Sequence, residues 1–142
     1  MDTDGDGGTY TLFLERTSDG PIEVGALGPI QVPAGWYAYT GSALGSGGFA
    51  RVDRHRAVAS GEHDARHWHV DYLLGDAATS VDTVVTSAAD IECAVARRLA
   101  SGASRAVADF GCSDCGCRTH LVGEDDRESL LRAVEGAHAD AR

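Results

Sequence analysis

The sequence predicts a single α/β domain of the α+β type, and three observations carry that expectation. The stretches 9–16 (TYTLFLER), 35–40 (GWYAYT) and 80–86 (SVDTVVT) are rich in β-formers, roughly alternate in polarity and adjoin turn residues. Apolar residues recur at helical spacing further along, at Ile91, Val95 and Leu99 and again at Leu130, Leu131 and Val134. A chain of 142 residues is one domain's worth, long enough to bury roughly two-thirds of the surface of its unfolded form.

Residues 1–8, mostly Asp, Thr and Gly, cannot bury anything and are expected to form a disordered acidic tail, with order beginning near Thr9. The first strand runs into Ser18-Asp19-Gly20-Pro21, which is turn chemistry, so 22–27 is its expected hairpin partner. Gly28-Pro29 breaks that partner, and 30–32 is short. In 35–40 alternation puts Trp36 and Ala38 on one face, Tyr37 and Tyr39 on the other. A glycine-rich turn then opens a helix carrying Arg51, Arg54, His55 and Arg56. At about 100° per residue Arg51, Arg54 and His55 share one side, opposite Phe49, Val52 and Ala59.

Beyond a polar loop at 60–64, the stretch 67–74 (HWHVDYLL) reads as a short helix stopped by Gly75, with His67 and Asp71 one turn apart. After the strand at 80–86, Ser87-Ala88-Ala89-Asp90 resembles a capping box that opens a helix through about Ala100. Glu92 borders the stripe of Ile91, Val95 and Leu99 and is turned towards the protein. Either a metal ligand or a Glu favoured by the first-turn dipole accounts for it. Residues 123–142 are expected to form an acidic C-terminal helix that frays, outside a domain spanning 9–122.

Net charge is −10, and all twelve basic residues are arginine. An acidic, lysine-free chain points to a high-salt cytoplasm or simply to a GC-rich genome. In high salt, repulsion between this charge and a nucleic acid is screened within about 3 Å at 1 M. Local charge then decides binding. Acid collects at the two ends, whereas Arg51, Arg54, Arg56 and Arg66 lie in the middle with His55, His63, His67 and His69. No hydrophobic run approaches the roughly 18 residues a membrane span needs, and no signal-peptide pattern opens the chain, so a cytoplasmic protein is expected. Four cysteines there suit thiols or metal ligands better than disulfides.

The chemistry centres on 36–56, WYAYTGSALGSGGFARVDRHR. Strand tyrosines present hydroxyls, Gly41 and Ser42 begin a turn whose N–H groups can approach an anion, and the helix brings Arg51, Arg54 and Arg56. A surface helix with solvated arginines is the bland alternative. His67 and His69 either face a nucleic acid or serve packing and surface pairing. In 110–121, FGCSDCGCRTHL, the residues Cys112, Cys115, Cys117 and His120 would suit zinc, although C-x-C is tighter than the usual knuckle. Buried thiols in a glycine-rich turn and a redox pair are the rival readings.

These parts resemble the GIY-YIG nuclease superfamily. Gly8-Thr9-Tyr10 matches the first half-motif and Tyr39-Thr40-Gly41 the second; the turn, helix arginine and histidine follow through His55, and Glu92 falls where that family keeps its single carboxylate. WYAYTGSALG, HWHVDYLL, EC and GCSDCGCRTHL together more narrowly resemble an uncharacterised, largely archaeal branch whose members can be fused to endonuclease III. Two departures stand out. Thr9 replaces an aliphatic residue, and the stretch 11–38 is longer than the usual short hairpin between the tripeptides. The cysteine segment lies outside the superfamily's motif.

The resemblance implies a small central antiparallel sheet flanked by helices, and cleavage of DNA phosphodiesters with one divalent ion. Glu92 would hold Mg²⁺ or Mn²⁺, Arg51 would stabilise the phosphoryl oxygens, and Tyr10 or Tyr39 would orient the water or take its proton. That last role calls for a tyrosine pKa below about 10. His55 would assist or pack. A DNA-repair setting, with a repair protein as partner, follows from the same branch. Two other classes stay open: a non-catalytic nucleic-acid or protein-interaction module, and a zinc-binding or redox protein built on the cysteines.

Overall fold

The computed structural model of the chain describes residues 7–43, 48–62, 69–107, 110 and 119–141. Five strands form one antiparallel sheet in the order β5-β1-β4-β7-β6: β1 is Thr9–Arg16, β4 Gly35–Ser42, β5 Thr79–Ser87, β6 Arg105–Ala106 and β7 Leu121–Glu124. Two short strands, β2 (Pro21–Glu23) and β3 (Pro29–Gln31), pair separately. Among the described residues the helices are α1 (Ala50–Ser60), α2 (His69–Leu74), α3 (Glu92–Gly102) and α4 (Arg127–Ala141). The fold is α+β, with helices on both sides of the sheet.

Both faces of β1 and β4 are covered, which is why their polarity alternates imperfectly. On one face Tyr10, Leu12, Leu14, Tyr37 and Tyr39 pack with Val52 and Val58 of α1 and Val70, Leu73 and Leu74 of α2. On the other, Phe13 and Ala38 pack with Val95 and Leu99 of α3 and Leu130, Val134 and Ala137 of α4. Trp36 and Ala38 thus do lie opposite Tyr37 and Tyr39.

Several expectations are corrected. The segment after the first turn does not pair with β1, whose partners are β4, from Thr9↔Ser42 to Arg16↔Gly35, and β5. Pro21 and Pro29 lack N–H donors at the ends of β2 and β3 and confine them to a small hairpin closed by a 3-10 turn, Gly25–Leu27. Buried Arg16 fastens that hairpin region to the sheet through Val32 O at 2.8 Å, and the same guanidinium pairs with Asp76, in the turn before β5, at 3.0 Å.

The capping box is not used. Ser87 ends β5, with its hydroxyl 2.8 Å from Nδ1 of His138, and α3 begins later, at Glu92. Thr9 takes over from across the sheet, its Oγ1 accepting the Ile91 N–H at 2.9 Å and donating to Ala89 O at 2.8 Å. The expected acidic C-terminal helix is α4. Asp126 accepts the N–H and hydroxyl of Ser129 at the start of α4, and Leu130, Val134, Ala137 and His138 are buried along it. A domain boundary after 122 would cut through β7. Gly7 and Gly8, expected in the tail, are buried, and Gly8 exchanges backbone hydrogen bonds with Ala43 at 3.2 and 2.7 Å. His67, Cys112, Cys115 and Cys117 lie outside the described residues. No helix among the described residues is long and apolar enough to cross a membrane.

Candidate active site

The pairing of β1 with β4 sets Tyr10 opposite Gly41 and Tyr39 opposite Leu12. Gly41 is required by space. A Cβ there would stand 2.5 Å from the Tyr10 hydroxyl oxygen and 2.6 Å from Cζ, so only glycine lets the phenol lie across β4. Tyr10 then reaches α1, where its hydroxyl is 2.7 Å from Nε2 of His55. Ring centroids of Tyr10 and His55 are 5.4 Å apart, and each lies 6.5 Å from that of Tyr39. Phe110 meets Tyr39 edge-on at 6.0 Å and His69 at 5.5 Å, which joins His69 to the cluster.

His55 does not share the exposed side of its helix with the arginines. It is 1% exposed, in line with Val52 and Val58, because the Tyr10 hydroxyl supplies the polar partner that a buried imidazole needs. Arg51 reaches back to the end of β4 and donates to Ser42 O at 2.7 Å. Arg54 forms a two-pronged pair with Asp71 of α2, at 3.1 and 3.2 Å, and Asp71 is 0% exposed. This arginine ties α1 to α2. Arg56 is exposed, Ser42 is half-buried and Gly41 is buried beneath Tyr10.

Glu92 is the first residue of α3, placed by the Thr9 bonds to the residues before it, and its side chain is 26% exposed. Nδ1 of His120 stands 3.1 Å from Glu92 Oε2 and 3.0 Å from Thr40 O. The Thr40 N–H donates to His120 O at 3.0 Å, so His120 extends the pairing of β4 with β7. A zinc ion would have to take His120 through its other nitrogen.

The electrostatics reverse one expectation. The Tyr10 pKa is raised, first by burial, then by Tyr39, with Glu92 and Asp71 adding and Arg51 opposing. The phenol is therefore neutral. Burial lowers the His55 pKa to about 4, against the pull of Asp71, with Arg54 and Arg51 lowering it further. At neutral pH a neutral phenol and a neutral imidazole share one proton. Arg51 and Glu92 act on Tyr10 with opposite signs.

Among the described residues no group of three or more His, Cys, Asp or Glu side chains is placed to hold a metal. A single, partly exposed carboxylate fits a hard cation that keeps most of its waters, such as Mg²⁺ or Mn²⁺. It does not fit an all-protein cage. Sequence reasoning missed Asp71, which it assigned to His67, and Thr9 as the anchor of α3. It also missed His138, whose Nε2 is 2.8 Å from Thr11 Oγ1, itself 2.9 Å from Thr40 Oγ1. The i,i+4 step from Val134 to His138 was the available signal.

The family model described as "Domain of unknown function DUF123" matches residues 9–142, and the chain belongs to that family. No curated protein and no solved structure matches the chain.

Proposed function

We propose that this member of the DUF123 family is a metal-dependent endonuclease that hydrolyses phosphodiester bonds in DNA, serving repair or processing in the cytoplasm. One observation carries the reading. Tyr10, Tyr39 and His55, from two strands and a helix, pack together with the Tyr10 hydroxyl on His55, and the charges of Arg51, tethered at the end of β4, and of Glu92, at the start of α3, both bear on Tyr10. The likeness of their sequence pattern to GIY-YIG nucleases supports the same conclusion.

Glu92 would hold Mg²⁺ or Mn²⁺ through a hard oxygen, and the ion would supply positive charge at the scissile phosphate. Arg51, tethered at the end of β4, stabilises charge on the phosphoryl oxygens. Burial disfavours both a free phenolate and an isolated imidazolium, so Tyr10 takes the proton of the attacking water in step with passing its own to His55 Nε2. Asp71 favours the imidazolium that results. Arg56 and His69 extend the surface that meets the nucleic acid.

The test is a variant series. Arg51→Ala and Glu92→Gln are expected to abolish cutting with the fold intact, and Tyr39→Phe to reduce it severely. Residual activity in Glu92→Gln that merely tracks the folded fraction would make that residue structural. A second reading, a binding module without chemistry that accompanies repair enzymes, is favoured by one observation: Tyr10 and His55 are 2% and 1% exposed. Salt-sensitive binding that needs no Mg²⁺, without cleavage, would select it.

A further inference from the structure

We propose that His120 is the positioning residue for Glu92, turning the carboxylate so that one oxygen is held by the protein and the other is presented to the cation. The inference rests on the nuclease reading and deepens it. His120 is 3% exposed, and its Nδ1 hydrogen-bonds the carbonyl of Thr40. A carbonyl only accepts, so Nδ1 carries the proton and gives it to Thr40 O, and the same Nδ1 also stands 3.1 Å from Glu92 Oε2, an ion-pair contact beside that hydrogen bond. The residue's backbone is held from both sides, donating to Phe110 O at 2.9 Å and accepting from Thr40 at 3.0 Å, and the ring is held by the Thr40 carbonyl. Glu92 sits on the first turn of a helix and is partly exposed, where an unsupported side chain samples several rotamers. His120 instead refers its direction to β4, the strand that carries Tyr39 and Gly41.

The chemistry needs this. Where one carboxylate serves as the protein's ligand, its orientation decides how well the ion is held, and partners behind such ligands are worth about 10- to 100-fold in metal affinity. Holding Oε2 leaves Oε1 as the ligand oxygen. His120, which the spacing of the cysteines assigned to zinc, thereby belongs with the carboxylate.

The experiment measures Mn²⁺ binding by electron paramagnetic resonance, with no nucleic acid present, alongside circular dichroism to confirm folding. Wild type is compared with Glu92→Gln, His120→Asn and His120→Gln. The amide N–H of Asn reaches the place of Nδ1, whereas that of Gln reaches the place of Nε2. His120→Asn is expected to bind within a few-fold of wild type and His120→Gln about 10- to 100-fold more weakly. Equal affinities for the two amide variants would overturn the positioning role. If Glu92→Gln binds Mn²⁺ as tightly as wild type, the assignment of Glu92 as ligand fails, and the inference with it. A weakened Glu92→Gln beside unchanged His120 variants removes the inference alone.

Discussion

Gly41 is where the sequence motif becomes geometry. The second tripeptide ends in glycine because the phenol of Tyr10 occupies the volume a Cβ would need. Gly41→Ala is expected to push Tyr10 off His55 and to cost about 1–3 kcal/mol, the range for overpacking a core. Chemical denaturation and loss of cleavage both report it. Unchanged stability would mean that Tyr10 moves aside freely. His55 gives a second prediction, in pH. Its folded-state pKa of about 4 lies below the ordinary value, so the unfolded chain takes up the proton first. Its contribution is complete above about pH 6.5 and is lost as pH falls through about 4, a loss of roughly 3 kcal/mol. Between those limits wild type should lose more stability than His55→Gln; parallel curves would show that burial does not hold the imidazole neutral.

Among the elements, strands were more legible than the contacts that join them. TYTLFLER and SVDTVVT read as strands from β-formers and alternation, and both are. The start of α3 was not legible, because its anchor, Thr9, lies far away in sequence. A local capping box matched the pattern, but β5 extends through Ser87, whose hydroxyl serves His138 instead. Thr9→Val keeps the shape and removes the hydroxyl, leaving the Ile91 N–H and Ala89 carbonyl without it. A loss of about 1–3 kcal/mol in denaturant unfolding is expected, with weaker Mn²⁺ binding because Glu92 follows directly. Full retention of both would separate the helix start from the site. The acidic C-terminal helix, by contrast, was legible from the helical spacing of Leu130, Leu131 and Val134, and in the structure Leu130, Val134 and Ala137 cover one face of the sheet.

At the scale of the molecule, the antiparallel sheet is covered on both faces, and the long stretch between the two tyrosine strands holds a separate hairpin that leaves their pairing intact. That insertion was visible in the sequence as extra length, and its destination was not. Tyr10, Tyr39, Arg51 and Glu92 were singled out by the likeness to the GIY-YIG pattern, and of these the structure brings the ring centroids of Tyr10 and Tyr39 to 6.5 Å from each other. The pairing of Arg54 with Asp71 was not legible, because a basic residue on a surface helix looks the same in sequence whether it meets phosphate or a buried carboxylate. Neither was the upward shift of the Tyr10 pKa, which comes from burial by distant segments.

The most direct measurement incubates supercoiled plasmid, flap and junction DNA at high salt with wild type and Glu92→Gln, with Mg²⁺, Mn²⁺ or chelator. Cleavage by wild type alone, abolished by chelator, is the predicted result. Failure to cut any of these DNAs with either ion, while both proteins bind them equally and without metal, would contradict it.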